Sequence, residues 1–68
     1  LKDSNEVRRR YEVKYDPDRR RYVVEMLGET ADRREVESYA EWGVADHMRT
    51  ELNQRLDARG ELLPERRR

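Results

Sequence analysis

The chain has 68 residues, 47% of them charged and 34% hydrophobic, with sixteen basic side chains balanced by sixteen acidic ones. Leu, Val, Ile and Phe number only twelve, a composition at the margin of folding and enough for one small domain at most. Zero net charge argues against a simple non-specific nucleic-acid binder, and the lack of cysteine excludes disulfides, thiolate metal ligands and a cysteine nucleophile.

A core this small, with no covalent or metal staple, raises the expectation of a partner chain. No run approaches the roughly 20 apolar residues that span a bilayer. No apolar signal-peptide segment is visible near the N-terminus, so a cytoplasmic location is expected. A chain that begins at Leu1 is expected to be a trimmed product or part of a longer protein.

Residues 1–6 carry no periodicity and are expected to be a flexible lead-in. Residues 7–60 form the expected single domain. Within it, residues 7–28 predict a β-hairpin. Asp16-Pro17-Asp18-Arg19 has the chemistry of a type I turn, with Asp at the first position and Pro at the second. The flanks are rich in Val and Tyr, which strands favour. A loop of those four residues puts Tyr15 opposite Arg20, Val13 opposite Tyr22 and Tyr11 opposite Val24. One face then collects Val7, Tyr11, Val13, Tyr15, Tyr22, Val24 and Met26. The other collects Arg8, Arg10, Glu12, Lys14, Arg21, Val23, Glu25 and Leu27. A slip of one residue would mix the two sets.

Gly28-Glu29-Thr30-Ala31 predicts a short connection. Asp32 has the character of an N-cap, with Glu35 three residues on as in a capping box. A helix is expected from there to Arg59, with Gly60 just past its end and Pro64 blocking extension. Val36, Tyr39, Ala40, Gly43, Val44 and His47 share one face of that helix. Ala45, Met48, Leu52 and Leu56 lie on another, turned by well over 100° from the first. Gly43 sits at the change and predicts a kink or break. Residues 61–68 read as a C-terminal tail. The expected fold class is therefore α+β: an antiparallel β-hairpin followed by one long or Gly-kinked α-helix, ββα or ββαα, and oligomeric.

Catalytic chemistry finds little support. His47, the single histidine, has Glu51 one turn away, but two ligands are half of a usual zinc site. Glu35, Glu37 and Glu41 suit the positive end of a helix dipole better than an acid–base pair. Ser4 and Ser38 have no adjacent base. Gly28, Gly43 and Gly60 are isolated and build no phosphate loop. No catalytic residue, cofactor or metal is expected, and no small-molecule substrate or membrane.

Two surfaces carry the functional expectations. The first is the stripe Met48, Leu52 and Leu56, with Trp42, which one hairpin is too small to cover alongside Val36, Ala40 and Val44. It is expected to contact a partner protein or a second copy. The second is the basic hairpin face, Arg8, Arg10, Lys14 and Arg21, with Arg19 and Arg20 at the turn. A two-stranded ribbon fits the DNA major groove, and Arg reads phosphate and guanine edges. Residues 7–34 hold nine basic and six acidic side chains, and residues 35–60 hold three and six. That dipolar layout suits antiparallel assembly and equally suits a helix lying on its own hairpin.

The stretch Tyr11-Glu-Val-Lys-Tyr-Asp-Pro-Asp, followed by Tyr22-Val-Val-Glu, resembles the opening hairpin of HicB-type antitoxins. It is also similar to the hairpin of phage integrase arm-binding domains, which set a small sheet on DNA with one helix behind it. The resemblance implies a DNA-binding regulator. The proline- and glycine-marked continuation of the antitoxins is missing, and no third strand, usual in integrase arm domains, is read from this sequence. The expected function is a small non-catalytic interaction module, with the regulator as alternative.

Overall fold

The turn at Pro17 organises the first half of the chain. In a computed structural model that describes residues 8–29 and 33–64, β1 (Arg9–Asp16) and β2 (Arg21–Gly28) pair antiparallel around residues 17–20. Asp16 Oδ1 accepts the Asp18 N–H at 3.1 Å, the bond of an Asx turn. The loop sits one residue later than expected. Asp16 joins β1 opposite Arg21, and Arg20 closes the loop at a φ of 56°, in the left-handed region. The pairs become Tyr15–Tyr22, Val13–Val24 and Tyr11–Met26. Against the expected register this is a slip of two residues, which leaves every side chain on its expected face.

The second half departs from expectation. Residues expected to open a helix form β3 (Arg33–Tyr39), paired antiparallel with β2. The sheet has the order β1-β2-β3 and is followed by α1 (Trp42–Ala58). The fold is thus α+β as expected, but βββα and not a hairpin with one long helix. The expected cap at Asp32 lies outside the described residues. Glu35 is a strand residue opposite Glu25 and not part of a capping box. Between Val24–Glu37 and Glu25–Glu35 the register shifts, so Val36 is an extra residue, a bulge on β3. The physical reason for the strand is the second edge of β2, whose backbone groups need partners. Pairing them outweighs the mild helix preference of Arg and Glu.

α1 starts at Trp42, with Glu41 in the N-cap position and no side-chain cap. Gly43 is its second residue, so the expected kink disappears. The C-terminus follows the sequence. Gly60, at φ 71°, donates to Asp57 O at 3.0 Å, and the Glu61 N–H reaches back to Leu56 O at 2.8 Å, the paired bonds of a Schellman motif. The motif returns the chain along β1. Arg9 N–H donates to Glu61 O at 3.0 Å and Leu63 N–H to Arg9 O at 2.8 Å, a parallel bridge between Arg9 and Leu62. Residues 61–63, expected in a tail, thus extend the sheet edge.

The core lies between α1 and the face carrying Tyr11, Val13, Val24 and Met26. Val24 is 1% exposed and Leu56 2%, and Ala45 is fully buried. Met48 and Leu52 are half-buried on the same side of the helix. The expected stripe is real, but it covers its own sheet. The two stripes more than 100° apart never needed two partners, because Val36 and Tyr39 are not on the helix. Val36 and Val44, expected to pack on the hairpin, are each 44% exposed, and Ala40 is exposed in the connection.

One polar group joins this core. Asn53, largely buried, accepts the Tyr11 N–H on Oδ1 at 2.8 Å and donates from Nδ2 to Tyr11 O at 3.0 Å. The side-chain amide stands where a neighbouring strand's peptide would. Asn53→Ala is expected to strand both Tyr11 groups and lower the unfolding free energy by about 1–3 kcal/mol. Asn53→Asp, which loses the donor and adds a desolvated charge, is expected to cost more. The shift of the urea midpoint checks both, and unchanged midpoints would show that the amide contributes nothing.

Candidate functional site

The sheet face away from α1 is open, and its centre is acidic. Glu12, Glu25 and Glu35 stand opposite one another across the three strands. Like charges in register repel, and each glutamate has a cation beside it. Glu12 lies 3.6 Å from Arg10 Nε. Glu25 takes Arg33 Nη1 at 2.8 Å and Lys14 Nζ at 3.8 Å. Glu35 takes Arg19 Nη2 at 2.7 Å. Arg10 also donates from Nη1 to Leu63 O at 2.7 Å, which ties the returning segment to the sheet. Arg21 donates from Nε to Ser38 Oγ at 2.8 Å and from Nη2 to Ser38 O at 3.0 Å.

The expected nucleic-acid contacts are therefore brought together only in part. Arg10, Lys14, Arg19 and Arg21 share the open face but are engaged by their own chain. Arg8 and Arg20 are exposed at its ends. Arg33 joins the face from β3, a place that a helix over these residues does not give it. Of the four expected partner contacts, Leu56 is buried in its own core and Met48 and Leu52 line that core's edge. Trp42 stays 56% exposed at the start of α1, beside a shallow cleft lined by Tyr11, Val13, Asp46 and Arg49. Asp46 accepts from Arg49 within that wall. His47 Nε2 lies 3.2 Å from Glu51 Oε2 on the exposed helix surface, and among the described residues no group of three potential ligands gathers.

The sheet edges are the feature the sequence concealed. On β1 the outward groups of Arg9 are taken by residues 61–63 and those of Tyr11 by Asn53. Because odd residues of β1 face out, alternation through the sheet turns Arg33 and Ser38 outward on β3. Among the described residues no backbone bond reaches that outer edge. Val36, Trp42, Val44 and Tyr15 are the large exposed hydrophobics among the described residues, and Tyr15 rests on Tyr22 with ring centroids 4.9 Å apart. Among the described residues no helix is long and apolar enough to cross a membrane.

No family model matches the chain, and neither a curated protein nor a solved structure matches it significantly.

Arg19 clamps the hairpin turn to β3. Its Nε donates to Asp16 Oδ2 at 2.8 Å and its Nη2 to Glu35 Oε1 at 2.7 Å. These hydrogen bonds hold both carboxyls below their ordinary ranges and push the guanidinium up. A carboxylate with a depressed folded-state pKa contributes stability above its unfolded pKa and loses it as pH falls through the folded value. The clamp is thus complete at neutral pH and released on acidification. In Arg19→Ala, the carboxyl titrations of Asp16 and Glu35 followed by NMR are expected to move up toward the ordinary 3.8 and 4.5. Unmoved midpoints would remove the clamp.

Proposed function

We propose that the chain is a small non-catalytic protein-interaction module that works as a homo-oligomer or as a subunit of a larger complex. The observation that carries this is a mismatch between inside and outside. The fully buried hydrophobics among the described residues are Val23, Val24, Ala45 and Leu56, while Tyr15, Val36, Trp42 and Val44 are each at least 44% exposed. So small a core is marginal alone, and a partner that covers the exposed set stabilises the fold by mass action. The reading needs no cofactor and fits action in the cytoplasm. Light scattering across a concentration series is expected to give a mass rising above 8.3 kDa. A monomeric mass at every concentration would overturn self-association.

A second reading, a DNA-binding regulator, draws on the open sheet with a helix on its far side and a third strand, the arrangement that the integrase resemblance implies. The glutamate row counts against it, because the middle of the face that would meet phosphates is acidic. At low salt, duplex DNA is expected not to shift the chain. A salt-sensitive shift, weakened by Arg8→Ala with Arg20→Ala, would make this reading primary.

A further inference from the structure

The outer edge of β3 is a self-complementary surface. We propose that it pairs antiparallel with β3 of a second copy, Arg34 opposite Glu37, about a two-fold axis between Glu35 and Val36. The proposal rests on the homo-oligomer reading and names its interface.

Three observations converge on that register. The first is the edge itself. Arg33 and Ser38 turn their backbone groups outward, and in this register they stand opposite one another and exchange both hydrogen bonds on each side of the axis. Ser38 O already accepts from Arg21, but a carbonyl has a second lone pair.

The second is the bulge. A regular strand meets its two-fold copy face to face only where residues of equal parity are opposed. Arg34 and Glu37 differ in parity, yet both belong to the helix side of the sheet, Arg34 opposite Met26 and Glu37 opposite Val24. The extra residue at Val36 makes this so. Against β2 the bulge is a mismatch of two residues to one, but against a second β3 it is two to two. A feature that deters other strands is matched by its own copy.

The third is charge. Arg33 and Glu35 are engaged within the chain by Glu25 and Arg19. Arg34 and Glu37 are exposed, and among the described residues neither has an ion-pair partner. Antiparallel pairing brings Arg34 of each copy to Glu37 of the other, twice. It also sets the two exposed Val36 side chains beside each other across the axis. Opposite-charge cross-strand pairs stabilise a sheet, and like pairs destabilise it.

The test exploits the repeated pair. In light scattering, Arg34→Glu and Glu37→Arg, each alone, are expected to weaken self-association by about tenfold or more, because each opposes like charges twice. Mixing the two variants is expected to restore association as a heterodimer, and combining both changes in one chain to restore the homodimer. Both positions are exposed, so far-UV circular dichroism should match the wild type. Register is read separately by mixing Arg34→Cys with Glu37→Cys under oxidising conditions. In a chain without native cysteine, the mixed disulfide dimer is expected to exceed either symmetric one. A wild type that associates while neither charge variant alters it would overturn β3 pairing and leave the homo-oligomer reading standing. A wild type that stays monomeric would overturn both.

Discussion

The bond between the Asn53 amide and the Tyr11 peptide decides how the rest of the molecule is arranged. It draws α1 toward β1, against which the helix packs most closely, with β2 next and β3 least. It also fills the place of a missing strand. Together with the backbone of residues 61–63 on Arg9, it closes much of one sheet edge by intramolecular means. The Schellman turn at Gly60 is what lets a segment so near the helix end reach Arg9. With β1 occupied and α1 displaced toward it, β3 is left, among the described residues, with an open edge and an exposed face. The asymmetry follows from four hydrogen bonds and one glycine.

How a chain with 47% charged residues folds at all is answered on the open face. Val23 is 3% exposed although no helix covers that side of β2. Lys14, Arg19, Glu25 and Glu35 line the hollow around it, and their aliphatic stems supply cover while their charged ends stay in water. The alternating ion pairs hold those stems down across three strands. Each exposed pair adds little by itself, but the network keeps Val23 dry on a sheet too small to hide it otherwise. The same pairing consumes the cations that give the β1–β2 hairpin alone the character of a nucleic-acid surface.

Most of the first half was legible in the sequence, and the reasons it was legible are local. Asp16-Pro17 specifies a turn through its own side chain and ring, and alternation sorts faces whatever the register to within two residues. Arg20 in the left-handed region carries no sequence signal, and it moved the pairing. β3 was hidden for two physical reasons. Arg33, Arg34, Glu35 and Glu37 are residues that helices accept readily, and the bulge at Val36 breaks the alternation by which a strand is recognised. A helix over 33–39 projects Val36 and Tyr39 onto the wrong wheel and leaves Met48, Leu52 and Leu56 as a second stripe without cover. Leu56 is buried against the sheet, and Met48 and Leu52 are half-buried at its side. Gly60, in contrast, was legible because a left-handed cap has one strongly preferred residue.

Edge strands are exposed to pairing with any extended chain, and short strands, charges and bulges are the usual deterrents. β3 carries the last two. Each of them discriminates by what it requires of the incoming strand. A bulge disrupts the ladder against a regular strand and is matched by a partner with an extra residue at the same place. A basic half followed by an acidic half favours a partner of the same order laid antiparallel. An outward Ser38 backbone beside Arg21 leaves one lone pair for the newcomer. An arbitrary strand fails at least one of these conditions, whereas an identical strand about a two-fold axis meets them together, because symmetry converts each irregularity into its own complement. Features that suppress promiscuous association are, for this reason, the same features from which the proposed self-pairing draws its selectivity.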